Sequence, residues 1–374
     1  MFREAFGGWL AAAAPAQPLR EWLTTGDVTP FEERLAADGW LGVGSPEECG
    51  GQGGGLLDLA LAAEQLGYAA APGGSWLASV LAVPALTTRP DIAAAVLEHG
   101  EFAALAVPAG QPPDRPGAVR CTDRALSGAV HQHGTVHQHG TVLQHGTVQL
   151  HGTVRSVLGA GRSRHLIVPV WQAGSCELFV VDAADAGVSL RDRKLLDRSR
   201  CAADVSLAGA PGQALDVDGT QVLADAALRA AVLVAADSLG AAAKMLELAV
   251  GYSKQRTQFG VPIGSFQAVQ HTAATMLVAV ESARSISYFA AESVQVGDSE
   301  RALHAAAAKA QVTAAAAAAA DAALTIHGAI GYTWEHDLQL FYKRAKLNVP
   351  LFGPPEVWNE RIAAELPLRP AALT

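Results

Sequence analysis

Residues 256–267, Arg256-Thr-Gln-Phe-Gly-Val-Pro-Ile-Gly-Ser-Phe-Gln267, decide how the rest of the chain is read. Upstream, from Val232 to Tyr252, apolar residues recur every three or four positions, the spacing of an amphipathic helix. Phe259-Gly260 breaks that helix, and a new one is expected near Pro262, since proline is tolerated in a first turn. A guanidinium at such a joint, beside the free N–H groups of a starting helix, is a good pyrophosphate anchor. On physical grounds alone a plain helix–turn–helix with an exposed arginine fits equally well.

Downstream, Phe266, Val269, Ala273, Met276, Val280, Ala283, Ile286 and Phe289 form one stripe of a long helix over 263–289. His304 to Leu324 is mostly alanine, the best helix former, which also lets neighbouring helices approach closely. It leads into His327-Gly-Ala-Ile-Gly-Tyr-Thr-Trp-Glu335, whose GxxG alone reads most often as a helix C-terminus. Upstream, residues 101–220 hold short β-branched runs such as Leu166-Ile-Val-Pro-Val-Trp171 and Leu178-Phe-Val-Val-Asp182, separated by Gly, Asp and Pro. These predict a small antiparallel β domain. Residues 1–100 are Ala- and Leu-rich with helical spacing, broken at 39–46 and 50–55 by glycine clusters that mark a tight loop. The expected fold is mostly α with a β insert: an N-terminal helical domain (1–100), a middle β domain (101–220) and a C-terminal four-helix bundle (221–374).

The 374 residues are half hydrophobic and 17% charged, with a net charge of −9. Mean hydropathy is +0.19, and no uninterrupted apolar run approaches the ~20 residues that cross a bilayer, so no membrane partner is expected. The acidic balance argues against nucleic acid, which needs a basic surface. Glu4 and the shortness of the run 7–14 argue against a secretory signal. Four scattered cysteines without a CxxC pair read as reduced thiols in a cytoplasmic protein.

Residues 131–154 repeat a hexapeptide, His-Gln-His-Gly-Thr-Val, four times with drift, and hold half of the twelve histidines. Six is even, so a strand would present His and Thr on one face and Gln, Gly and Val on the other. Clustered imidazoles suggest a metal. No carboxylate or Cys joins them to fix a geometry, so the favoured reading is an inserted surface loop or hairpin and no metal site. Joining Ser127-Gly-Ala-Val130 to Arg155-Ser-Val-Leu158 leaves a continuous pattern, as an insertion requires.

Arg256, Phe259, Gly260, Ile263, Phe266 and Gln267, together with 327–335 and Tyr342-Lys-Arg-Ala345, resemble the two cofactor-binding signatures of the acyl-CoA dehydrogenase family. Gly39-Trp-Leu-Gly, Pro46-Glu-Glu, Gly50-Gly and Glu64-Gln-Leu-Gly67 extend the resemblance over nearly the whole chain. The resemblance implies FAD, α,β-dehydrogenation of acyl-CoA thioesters, and cofactor contacts at Arg256, Gln258, Phe259, Gln267, Gly328 and Gly331. In that family one subunit's β domain holds the flavin ring, and a neighbour's Arg…Phe-Gly loop and Gly-rich turn grip the adenine and pyrophosphate end.

Departures from the family pattern fall on the other half of the site. The flavin loop and strand correspond to Ala106-Val-Pro-Ala-Gly-Gln111 and 155–161, with neither pattern kept. The two positions where family members carry the catalytic Glu are Phe352 and Ala230 here, and neither accepts a proton. Thr325 stands for a common Gln and Ala329 for the second Gly of the turn. Such a chain resembles the non-catalytic subunit of actinobacterial α2β2 acyl-CoA dehydrogenases, several of which act on steroid side-chain thioesters. A homo-oligomeric dehydrogenase with its base moved to Glu356, and a flavin-free scaffold, are the alternatives.

Overall fold

The computed structural model describes residues 2–122 and 147–366. Six helices open the chain: α1 (Phe2–Ala13), α2 (Ala16–Thr25), α3 (Thr29–Ala37), α4 (Leu56–Tyr68), α5 (Gly74–Ala82) and α6 (Pro90–His99). Proline near the start of α3 and α6 costs no hydrogen bond, and left-handed Gly26 and Gly100 end α2 and α6.

Seven strands follow: β1 (Ala103–Leu105), β2 (Arg120–Thr122), β3 (Thr147–Leu158), β4 (His165–Gln172), β5 (Ser175–Asp182), β6 (Val188–Arg193) and β7 (Ala202–Ala214). They form one sheet in the order β1-β4-β5-β7-β3-β2, with β6 also on β7. The expected antiparallel sheet is in fact mixed, because β1 runs parallel to β4 from Ala103↔His165 to Leu105↔Ile167. No tight turn joins β1 to β4: β2 and β3 intervene at the far edge, so nothing forces opposite directions.

A second correction concerns the hexapeptide repeat. Residues 131–146 lie outside the described residues, but 147–154 are the first two thirds of β3 and pair with β7 from Thr147↔Gln213 to Val154↔Val205. Val148, Leu150 and Val154 are buried while Thr147, His151 and Thr153 are exposed, the two-faced pattern expected of the repeat in a strand. A surface loop does not describe this part of the segment, because its valines and Leu150 belong to the sheet's core.

The bundle comprises α7 (Gly219–Gln255), α8 (Gln267–Gln295), α9 (Arg301–His327), α10 (Leu338–Asn348) and α11 (Pro355–Glu365). α7 is much longer than its 232–252 periodicity suggested. Asp218 caps it, accepting from the Thr220 and Gln221 amides at 3.0 and 3.1 Å, and its middle is buried on all sides, which erases the amphipathic signal. α4 crosses α7 backbone to backbone: a Cβ at Gly67 would lie 2.0 Å from Asp237 O, and one at Gly240 would lie 1.9 Å from Glu64 O. Beside that crossing Glu64, buried, accepts from Arg3 at 3.0 Å, Arg284 at 2.5 Å and Tyr288, tying α1 and α8 to α4. On α8 the centre of the expected stripe is buried, but Phe266 and Phe289 at its ends are exposed. The alanine-rich α9, with the turn after it, is apolar and long enough to cross a membrane by length and composition, more than the uninterrupted runs suggested; here it packs on α7, α8 and α11.

Candidate functional site

Two segments from the sequence meet at one end of the bundle. Arg256 ends α7, its amide bonded to Tyr252 O at 2.8 Å. The chain then forms a hairpin, β8 (Thr257–Gln258) against β9 (Val261–Pro262), turning at Phe259 (φ 52°) and Gly260 (φ 82°). Positive φ at both turn residues is the geometry that matches a two-residue hairpin. A 3₁₀ turn, Ile263–Ser265, precedes α8, so the new helix begins at Gln267 and not near Pro262, and Phe266 is its N-cap. The hairpin displaces the helix start by five residues because its backbone pairing satisfies the amides first. Arg256, Gln258, Phe259 and Gln267 are all exposed. Phe259, 92% exposed, meets Phe266 edge to face, and the Arg256 guanidinium has no ion-pair or hydrogen-bond partner among the described residues.

α9 ends beside this hairpin. Gly328 is exposed at its C-terminus, whereas Gly331 is packed against Leu324 and Leu338. Tyr252, one turn before Arg256, stacks on His327 at 4.8 Å between centroids, and His336 meets the same imidazole at 4.6 Å. His327 Nδ1 donates to Ala323 O at 2.7 Å, and burial holds this imidazole neutral by pushing its pKa down. Tyr332 and Trp334 are three-quarters exposed, and Trp334 carries Lys343 Nζ 3.8 Å above its ring. This end of the bundle therefore offers the exposed Arg256 guanidinium and uncovered rings at Phe259 and Tyr332, which suits the phosphates and adenine of FAD.

The other half of the site is different. Phe352 is buried, in the left-handed region at φ 55°, in a segment packed on the β domain. Its amide donates to Ala109 O at 2.6 Å, and the Ala109 amide donates to Ser156 O at 3.0 Å. Ser156 is itself left-handed (φ 54°), in the β3 bulge facing β7, with its amide on Asp204 at 2.9 Å. Ala230, the second position where the resemblance leads to a base, lies fully buried inside α7. Glu356 sits exposed in the first turn of α11, and Glu335 is exposed in the loop before α10. A flat ring needs about 7 Å between its walls, at about 3.5 Å per face. The loop after β1 and the segment before α11 are instead in direct hydrogen-bond contact, so the residues present do not fit a flavin ring between them.

Two buried polar groups hold this region, and sequence reasoning missed both. Lys309, inside the alanine run of α9, donates to the carbonyls of Asn348, Val349 and Gly353 at 3.3, 3.0 and 2.8 Å, while burial lowers its pKa to about 7. Asp237 on α7 accepts from Arg344 at 2.9 and 2.5 Å and from Asn348 at 2.6 Å, with Arg200 Nη2 at 2.9 Å. Burial would raise the Asp237 pKa, but Arg200 and Arg344 hold it at about 2. A lone Lys in an alanine run and an Asp inside an apolar helix were the available signals, because charges survive there only when paired. A separate cleft of 710 Å³ opens between α2, α3 and the β6–β7 connection, and none of the expected site residues line it.

The sequence models of the acyl-CoA dehydrogenase N-terminal and C-terminal domains match residues 1–89 and 218–366, and the chain belongs to the acyl-CoA dehydrogenase family. It is 42% identical over 156 residues to the acyl-CoA dehydrogenase IpdE2 of Mycolicibacterium smegmatis, covering 42% of this chain and 47% of that protein. It is 30% identical to the acyl-CoA dehydrogenase FadE34 of Mycobacterium tuberculosis, over 97% of this chain and 47% of that protein. The chain thus spans about half the length of these relatives. Among solved structures, the ChsE4-ChsE5 complex from Mycobacterium tuberculosis superposes with a TM-score of 0.80 at 22% identity, covering 99% of this chain and 98% of that one.

Proposed function

We propose that this chain is a subunit of an FAD-dependent acyl-CoA dehydrogenase that supports α,β-dehydrogenation while a partner chain supplies the catalytic Glu. The observation that carries the reading is Phe352: the base position of the family is a buried aromatic ring bonded through its main chain to the β domain. The second base position, Ala230, is equally unable to take a proton. The bundle end keeps the exposed Arg256, Phe259 and Gly328 that a neighbour's cofactor would need. FAD, when bound, supplies the hydride acceptor; this chain's part is to hold its phosphate and adenine end through Arg256, Gln258, Phe259, Gln267 and Gly328, while buried Gly331 lets the turn pack on Leu324 and Leu338. The substrate class is an acyl-CoA thioester with a fatty or steroid side chain, and the assembly is an α2β2 heterotetramer. A solved relative described as a complex of two chains, ChsE4 and ChsE5, supports a second dehydrogenase chain as partner.

Co-expression tests the proposal. The chain purified alone should be colourless, and co-expression with a Glu-bearing dehydrogenase chain should give a yellow complex. Yellow protein from the chain alone would favour a self-sufficient enzyme, and no colour in either preparation would favour a scaffold without flavin.

A further inference from the structure

The contacts around Phe352 form a continuous seam between the β domain and the bundle. On the β-domain side lies the loop after β1. Its Ala109 O takes the Phe352 amide at 2.6 Å, and its Asp114 takes Arg361 of α11 at 2.6 Å. Pro112 of the same loop lies so close to Gly353 that a Cβ there would sit 3.0 Å from Pro112 Cδ. On the bundle side, Lys309 grips the carbonyls of residues 348, 349 and 353, and Trp358 Nε1 donates to Phe352 O at 3.0 Å. The seam continues into the sheet through the bond from the Ala109 amide to Ser156 O.

Two of its members, Phe352 and Ser156, are held in the left-handed region, where non-glycine residues persist only when the surroundings over-determine them. Two strained residues joined through one alanine mark a conformation that the fold enforces. A hinge or an open crevice would leave those main-chain groups to water.

We infer that this seam is a built-in seal: Phe352 and its neighbours close this chain's own crevice between β domain and bundle to flavin and acyl-CoA. The inference rests on the proposal that the chain works as a non-catalytic subunit, and adds how its own site is shut. Losing the base would stop the chemistry but leave an empty crevice able to capture cofactor unproductively. The seal removes that competition, and any flavin gripped by Arg256 then belongs with the partner's β domain.

Amide hydrogen exchange of residues 107–115 and 349–353 tests it, on the chain alone and on the complex with a Glu-bearing chain. For wild type, saturating FAD or octanoyl-CoA should change exchange of the Ala109 and Phe352 amides by less than about twofold. Phe352→Gly suits the left-handed backbone and removes the whole side chain, and should speed exchange in both segments by about tenfold or more. Should that variant not fold, Arg361→Gln, which cuts a part-buried contact, should speed exchange of the Asp114 and Arg115 amides by a similar factor. Slowing of the wild-type amides by FAD or octanoyl-CoA of about tenfold would overturn the seal, as would unchanged exchange in the folded variants. If no complex forms, the subunit proposal fails, while the chain-alone measurement still decides the seal.

Discussion

Arg256 is an exposed guanidinium with no partner of its own among the described residues, at a hairpin whose other members are equally uncovered. Surface cations without partners contribute little to folding, so the fold should not depend on it. Arg256→Ala is expected to keep its thermal midpoint yet lose FAD from the complex. A charge-assisted phosphate contact is worth roughly 1.5–3 kcal/mol, or about ten- to a hundredfold in retention. Flavin absorbance after gel filtration measures it, and normal flavin content would count against the assignment. Lys309 is the opposite case. It is buried and satisfies three carbonyls at the end of α10 and the segment that follows, so Lys309→Met strands them. Leaving buried acceptors unpaired costs about 1–3 kcal/mol, and the denaturation midpoint should fall accordingly with flavin affinity per folded molecule unchanged. Arg256 could be found from its place in a motif. Lys309 could not, because its role depends on carbonyls some forty residues away, which no local pattern encodes.

At the scale of elements, β3 shows where a repeat misleads. Its period of six predicts which side chains share a face, and Val148, Leu150 and Val154 do point into the sheet. The same regularity suggests a duplicated surface insertion, yet pairing with β7 across eight residue pairs makes residues 147–154 part of the core. Deleting residues 131–154 should therefore give insoluble or unfolded protein, because the deletion removes β3's pairing along with its apolar side chains. Soluble, cooperatively melting protein after that deletion would show that β3 is dispensable. The joint of α7 and α10 makes a pH-dependent contribution through Asp237. Its folded pKa of about 2 lies below the ~3.9 of an unfolded aspartate, so its share of stability is present above pH ~4. That share, about 2 to 3 kcal/mol, is lost as pH falls through about 2. Denaturant melts between pH 5 and 2 should show the loss, and Asp237→Asn should flatten it. Helix existence and order were readable from periodicity, as were the paired strands β4 and β5. The ends of α7 and α8 were not, because full burial removes amphipathicity from the first and a hairpin delays the start of the second.

On the proposed reading, the whole molecule joins an edge offered to a neighbour to a shut crevice of its own. The edge was legible in the sequence because Arg256, Phe259 and the Gly-rich turn form compact local motifs. The crevice was legible only as missing residues, since what closes it is assembled from the loop after β1, the β3 bulge, the segment before α11 and Arg361 within α11. General-base catalysis contributes about 10²–10⁴-fold, and abstraction of a carbon-bound proton depends on it. The most direct test is reduction of a ferrocenium-type acceptor by a panel of acyl-CoAs with FAD added, for this chain alone and mixed with a Glu-bearing partner. A chain that depends on its partner predicts no turnover alone and turnover in the mixture, with about one flavin per heterodimer. Robust turnover by the chain alone that disappears in Glu356→Gln would contradict it and place the base on α11.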